Sequence, residues 1–217
     1  MTRKDFHGME NKRKGEGQLK ETVSSYVRFR PAAGALPRGG VAEILGPCSS
    51  GRTSVIQSML ATATAAGEVA AYVDSCDSFD PGFATRAGVK LEKLLWVQCA
   101  HRVDVALKAA DMLLHSGGFG LIVLDLCDAP VGPLNRIPTS SWYRFQRAVE
   151  NTQAVLVVLA CQAMARACAK RQLGLEQRQV HWRGDSQFRT IDRLSIEAIS
   201  RKPFDSRTVE VEALAEV

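Results

Sequence analysis

Short apolar runs alternate with segments of helical periodicity from residue 41 onward. The runs predict strands over 41–45, 69–73, 94–97, 121–124 and 154–160. The apolar spacing between them predicts helices over 52–66, 81–87, 103–115 and 140–150. Uninterrupted apolar strands that alternate with helices are typical of a parallel sheet covered on both faces. The pattern therefore predicts the α/β class, with a mostly parallel sheet of five central strands flanked by helices.

Both ends of the chain depart from this alternation. Residues 1–39 are charged or rich in Gly and Pro, which predicts a flexible basic N-terminal extension before a core domain over 40–217. Residues 194–200 and 208–213 alternate apolar and polar positions, which predicts an antiparallel C-terminal hairpin. The segment 168–185 is rich in Gln and Gly, and we predict a mobile loop there.

The composition argues against membrane proteins, secreted proteins and proteins stabilised by disulfides or zinc. A hydrophobic content of 46% is enough for a buried core. No apolar run reaches the roughly 18–20 residues of a membrane span, and the N-terminus lacks the pattern of a secretory signal. Six cysteines without CxxC spacing argue against a disulfide framework or a zinc cluster. We therefore expect a cytoplasmic protein with no membrane partner. The net charge of +5 is compatible with a nucleic-acid partner but does not demonstrate one.

Candidate chemistry begins between the first predicted strand and helix. The template G-x4-G-K-[ST] is matched, apart from its lysine, by Gly46, Pro47, Cys48, Ser49, Ser50, Gly51, Arg52 and Thr53. In such a phosphate loop, backbone N–H groups and the helix N-terminus bind phosphates, and the hydroxyl holds Mg²⁺. The apolar run over 121–124 ends at Asp125, an acid suited to accept hydrogen bonds from Mg²⁺-bound water. The motifs predict ATP and Mg²⁺ as cofactors, with Thr53 and Asp125 on the metal side.

Arg52 puts this prediction in question. A guanidinium is planar and wider than an ammonium, so it cannot lie between two phosphates as a lysine does. Two interpretations follow from the loop alone. It still binds nucleotide, or it is a vestigial turn that the fold retains.

Several segments together resemble the RecA family. They are residues 46–53, 72–81, 87–96 and 121–125, and the pair Cys161-Gln162. Within that family the chain is most similar to the short ImuA type, an accessory of damage-inducible translesion synthesis, in its compact length and in residues 94–97. The resemblance implies a RecA-like core over most of the chain.

The resemblance also assigns individual positions. Gln162 matches the glutamine that senses the outer phosphate. Cys76 stands where a recombinase has the glutamate that activates water, and a thiol is a poor base for that step. Asp74 and Asp77 are neighbouring acids that could substitute. With Arg52 and Cys76 in these places, we do not expect an efficient ATPase.

A basic segment follows the fifth predicted strand, at the position of the second DNA loop in the RecA family. Its candidate DNA-binding or partner-binding residues are Lys170, Arg171, Arg178, Trp182, Arg183 and Arg189. Basic side chains can follow a phosphate backbone, and an aromatic ring can stack on a base. Contact with single-stranded DNA and docking to a protein remain equal alternatives.

Three functions are compatible with these features. The leading hypothesis is an ImuA-type accessory of DNA repair in the SOS damage response. It would bind RecA or an error-prone polymerase similar to ImuB and support translesion synthesis. The second is an ATP- and DNA-binding RecA-like ATPase in recombination or repair. The third is an SOS cell-division inhibitor, although no feature of the sequence points specifically to that function.

Overall fold

The computed structural model of the protein describes residues 26–27, 36–183, 190–202 and 204–214. Most of the predicted basic extension lies outside these residues. The last residues predicted for that extension, 36–39, pack with the core. Leu36 is fully buried, and Arg38 forms an ion pair with Glu68 and donates to the carbonyl of Gln153 at 2.7 Å.

Strands and helices alternate through the first two thirds of the chain. The strands are β1 (Tyr26–Val27), β2 (Leu36–Pro37), β3 (Gly40–Leu45), β4 (Val69–Asp74), β5 (Leu94–Gln98), β6 (Phe119–Asp125), β7 (Val155–Ala160), β8 (Ala169–Arg183), β9 (Thr190–Lys202) and β10 (Phe204–Leu214). The helices are α1 (Arg52–Ala65), α2 (Pro81–Arg86), α3 (Val103–Ser116), α4 (Val131–Asn135) and α5 (Thr139–Val149). No helix among the described residues has the length and apolar character to span a membrane.

Eight strands form one sheet in the order β10-β9-β8-β3-β7-β6-β4-β5. Strands β3 to β8 are parallel to their neighbours within that group, whereas β9 and β10 are antiparallel. Successive residues of β6 enter two separate cores. Leu121 and Val123 pack with α1, and Ile122 and Leu124 pack with α3 and α5. The prediction of a mostly parallel α/β sheet flanked by helices, with an antiparallel hairpin at its end, is confirmed.

The prediction of a mobile loop over 168–185 is wrong, because most of that segment is strand β8. It pairs in parallel with β3 and antiparallel with β9, so its backbone is hydrogen-bonded on both sides at Leu173 and Gly174. Leu173 and Leu175 are buried in the core, and the polar residues 176–179 are exposed. The polar residues therefore lie on the exposed surface of a strand that is stabilised by pairing with β3 and β9.

The sheet brings the predicted motifs together at the carboxyl ends of its central strands. The strands β3, β7 and β6 are adjacent and parallel, so their carboxyl ends lie side by side. The phosphate loop follows β3, Cys161 follows β7, and Asp125 ends β6. Ligands of open α/β sheets bind beyond the carboxyl ends of the strands, which is where these residues lie.

Candidate nucleotide site

The phosphate loop is a tight turn between β3 and α1. Gly46 is buried and donates its N–H to the carbonyl of Ala160 at 3.3 Å. A Cβ at Gly46 would overlap the side chain of Ser50 and lie 2.8 Å from the carbonyl oxygen of Leu175. Gly51 has φ of 87° at the N-terminus of α1. Both glycines of the motif are thus required by the local backbone.

Replacement of Gly51 by alanine should destabilise the protein through a specific overlap. An added Cβ would meet Cδ1 of Ile196, a buried residue of β9. Gly67 has φ of 88°, but a Cβ added there would have nothing within 4 Å, so Gly67→Ala carries the backbone strain without the overlap. We expect Gly51→Ala to lose about 1–3 kcal/mol more than Gly67→Ala in urea unfolding. Equal losses in the two variants would contradict the packing of Ile196 on the loop.

Arg52 lies inside the site and not at its rim. The residue is 8% exposed, and its Nη1 donates to Sγ of Cys161 at 3.3 Å. Burial opposes the charge, but Cys127, Cys161 and Asp125 together raise the pKa of Arg52, so the guanidinium is charged. The cation therefore contacts Cys161 just after β7 and lines the same cavity as Asp125 at the end of β6.

Asp125 is hydrogen-bonded within the protein at both carboxylate oxygens. Oδ1 accepts the backbone N–H of Cys127 at 2.9 Å, and Oδ2 accepts the hydroxyl of Tyr72 at 2.5 Å. Asp125 is 9% exposed, and burial raises its pKa. The sequence motif placed this acid correctly at the end of β6, but the phenol beside it has no counterpart in that motif.

The two acids that could substitute for the missing base, Asp74 and Asp77, are hydrogen-bonded to other groups, and Cys76 is unsuited to the role. Asp74 is fully buried, and its carboxylate accepts from the backbone of Cys76, Ser78 and Phe79 and from the indole of Trp96. Asp77 accepts the backbone N–H of Ala100 at 3.3 Å. Burial raises the pKa of the Cys76 thiol, which keeps it protonated at neutral pH. This turn does not offer a ready base for activating water.

A cavity of about 250 Å³ lies beside the phosphate loop. It joins three residues predicted from motifs, Arg52, Thr53 and Asp125. Its other lining residues were not predicted, and they are Gln57, Tyr72, Ser78, Phe79, Asp80, Phe83, Cys127, Asp128 and Leu159. Gln57 follows Thr53 by one helical turn, so helical periodicity could have identified it.

Gln57 gives the cavity a polar atom that needs a partner. The residue is 2% exposed, and its Oε1 has no hydrogen-bond partner among the described residues. Buried polar groups are normally paired, with protein, water or a ligand. Gln57 thus makes the cavity suited to a polar ligand. Phe83, which is 37% exposed at the same cavity, adds an aromatic face.

The remaining predicted residues do not gather at this cavity. Gln162 is exposed immediately after Cys161, and among the described residues it is outside the cavity lining. Its role as a phosphate sensor stays a prediction. Cys48 is exposed on the loop and Cys76 is partly buried, whereas the cysteines that contact Arg52 or line the cavity are Cys161 and Cys127.

The predicted DNA or partner residues are distributed along β8. Lys170 donates to the carbonyl of Gly39 at 2.6 Å near the start of the strand, and Trp182 is 55% exposed near its end. At strand geometry these two residues are roughly 40 Å apart.

Arg178 forms an ion pair with Glu197 of β9. Arg171 is partly buried and has a partner, the side chain of Arg183 is not described, and Arg189 lies outside the described residues. The described members therefore do not form one compact patch.

Comparison with known proteins relates the chain to RecA proteins. It matches the RecA N-terminal domain model over residues 11–166. The RecA protein of Mycobacterium tuberculosis is 46% identical over 92 residues, which cover 42% of this chain and 12% of that protein. The RecA protein of Leifsonia xyli subsp. xyli is 34% identical over 140 residues, which cover 58% of this chain and 39% of that protein. The chain thus spans well under half the length of these relatives.

A solved structure supports the same fold. The crystal structure of the RadB recombinase aligns with a TM-score of 0.58 and 15% sequence identity, and the alignment covers 80% of this chain and 86% of RadB. At this identity the likeness concerns the fold alone.

Proposed function

Because the chain belongs to the RecA N-terminal domain family, we propose that it is an ImuA-type accessory of DNA repair that binds RecA or an error-prone polymerase during the damage response. The family relation is itself consistent with DNA repair and recombination. One observation carries the narrower proposal. Tyr72 donates a hydrogen bond to Asp125 beside the phosphate loop, and Cys76, which the resemblance places at the position of the catalytic base, is a protonated thiol.

In this role the site binds a nucleotide but does not hydrolyse it efficiently. Loss of a general base alone typically costs about 10²–10⁴-fold in rate. The loop glycines and the helix N-terminus still form a phosphate cradle. A bound nucleotide would then hold the loop and the adjoining strand ends in one conformation, which is useful to a protein that acts by docking to a partner.

Among the described residues, the β5 edge of the sheet offers a surface for such a partner. Strand β5 is the outer strand beyond β4 in the described sheet. Leu91 is 40% exposed just before this strand, and Leu95 within it is 44% exposed. An edge strand can pair with another chain through its backbone, and exposed leucines add apolar contact area. RecA and the polymerase would exclude each other from this edge, because one edge strand can pair with only one partner at a time.

Retention of purified RecA and of the companion polymerase on the immobilised full chain tests the proposal. We expect at least one of them to be retained, and Leu95→Asp to weaken that binding about tenfold, since an interface leucine is worth roughly 1–2 kcal/mol. Met112→Asp is the matched control, because Met112 is 71% exposed on α3, a helix that packs against β4 and β6. Failure of the wild-type chain to retain either protein would refute the accessory role.

The geometry of the phosphate loop favours one alternative, an ATP- and DNA-binding ATPase. That function requires steady ATP turnover stimulated by single-stranded DNA. The same preparation can be assayed for phosphate release with and without DNA. Stimulated turnover that is lost in Thr53→Ala would replace the accessory proposal with the enzymatic one.

A further inference from the structure

We propose that this site binds the phosphates of a nucleoside triphosphate without a divalent cation, with Arg52 and Tyr72 occupying the surroundings of Asp125 that a hydrated metal ion would need. The inference rests on the proposed ligand-binding role of the phosphate loop. It departs from the Mg²⁺ dependence that the motifs predict.

Asp125 is the first reason. Mg²⁺ keeps several of its waters when bound to protein, and an acid at this position acts by accepting hydrogen bonds from them. Here Oδ2 already accepts from the Tyr72 hydroxyl, and Oδ1 accepts from the backbone of Cys127. The carboxylate is also almost fully buried. Each acceptor oxygen thus has one of its lone pairs engaged inside the protein, and the burial of the carboxylate leaves little room for a metal's water shell.

Tyr72 is held in this arrangement by packing. The residue is 3% exposed in the core of β4, and its ring lies 4.6 Å from that of Phe79, measured between centroids. Phe79 in turn packs against Trp96, with the ring centroids 5.4 Å apart and the ring planes tilted by 49°. A phenol is protonated at neutral pH, so the Tyr72 hydroxyl donates its hydrogen bond to Asp125. A side chain locked in this way cannot simply turn aside to admit a hydrated ion.

Arg52 is the second and independent reason. Its guanidinium lines the same cavity of about 250 Å³ as Thr53 and Asp125, so one positive charge is already present there. The guanidinium is hydrogen-bonded to Cys161 and lines this space together with Asp125, so it fills volume that a hydrated cation would need. The same charge attracts phosphate oxygens. A guanidinium stays charged at any physiological pH, so this attraction needs no metal.

Titration of the full chain with a fluorescent ATP analogue, in excess Mg²⁺ and in EDTA, tests the proposal. We expect wild-type dissociation constants that agree within about twofold in the two conditions. Tyr72→Phe frees one oxygen of Asp125 while keeping the ring, so its affinity should become about tenfold higher in Mg²⁺ than in EDTA. Tyr143→Phe is the matched control, because Tyr143 is half exposed on α5, and it should behave as the wild type does.

Two outcomes would overturn the inference. One is a wild-type affinity that falls about tenfold or more when Mg²⁺ is removed, because that dependence requires a metal in the site. The other is the lack of nucleotide binding in both conditions. The latter would leave the accessory role open, because retention of RecA or the polymerase is measured without nucleotide and decides that role separately. Circular dichroism of Tyr72→Phe verifies that a changed affinity does not come from unfolding.

Discussion

Glu43→Ala is expected to lower the free energy of unfolding by about 3–5 kcal/mol, the largest stability loss that we predict for a single side chain. Glu43 lies in the middle of β3 and is fully buried. Its Oε1 accepts the backbone N–H groups of Met164 at 2.6 Å and Ala165 at 2.5 Å, and its Oε2 accepts the amide of Gln172 at 2.6 Å. Alanine would leave these donors without their partner in the interior.

Glu43 matters because of what its partners connect. Met164 and Ala165 lie in the crossover between β7 and β8, a few residues after Cys161, and Gln172 lies in β8 itself. One carboxylate thereby fixes the crossover beside the phosphate loop. Loss of Glu43 should also release Cys161 from Arg52 and weaken nucleotide binding.

Urea unfolding followed by circular dichroism measures this prediction. Glu43→Gln is the matched control, because its amide oxygen can still accept from the crossover backbone while the charge is removed. We expect its loss to be about half that of Glu43→Ala. A loss below about 1 kcal/mol in the alanine variant would show that the three hydrogen bonds do not hold the crossover.

The second large effect is a gain of activity. The triple variant Arg52→Lys, Tyr72→Phe and Cys76→Glu is expected to hydrolyse ATP about 10²-fold faster than the wild type in the presence of Mg²⁺. Lysine supplies a point charge to the phosphates, phenylalanine frees Asp125 for the metal side, and glutamate supplies a base. Each substitution reverses one of the departures that the site shows.

The double variant Arg52→Lys and Tyr72→Phe, which retains Cys76, is the matched control. It should bind Mg²⁺-nucleotide but turn it over slowly, because the thiol at position 76 stays protonated. Phosphate release under saturating ATP compares the three proteins. The explanation fails if the wild type already matches the triple variant, since its own residues would then suffice for catalysis. Addition of Asp125→Ala to the triple variant should abolish the gain.

Local patterns were sufficient for much of the fold and for part of the site. The parallel strands, the helices between them and the phosphate loop depend on periodicity and on glycines within a few residues of one another, and the structure reproduces them. Asp125 could be found in the same way, because it ends an apolar run. Each of these features is determined by neighbours in the chain.

Strand β8 shows where local patterns failed. Its glutamines and glycine are typical of a loop, and the sequence alone offers no reason to assign a strand. Pairing with β3, more than a hundred residues earlier, and with β9 supplies the hydrogen bonds that stabilise it. The strand conformation of such a segment depends more on pairing with neighbouring strands than on the propensities of its own residues.

The sequence by itself determined a RecA-like α/β core with a phosphate loop, with Arg52 at the lysine position of the motif and Cys76 where the resemblance places a base. The tertiary structure decided how these departures combine. The hydrogen bond from Tyr72 to Asp125 joins residues 53 positions apart, and that from Arg52 to Cys161 joins residues 109 positions apart. Contacts at such separations arise only when the sheet aligns the ends of β3, β4, β6 and β7. For that reason the motif predicted the acid and its place, but not the phenol and the guanidinium that the folded chain brings to the same cavity.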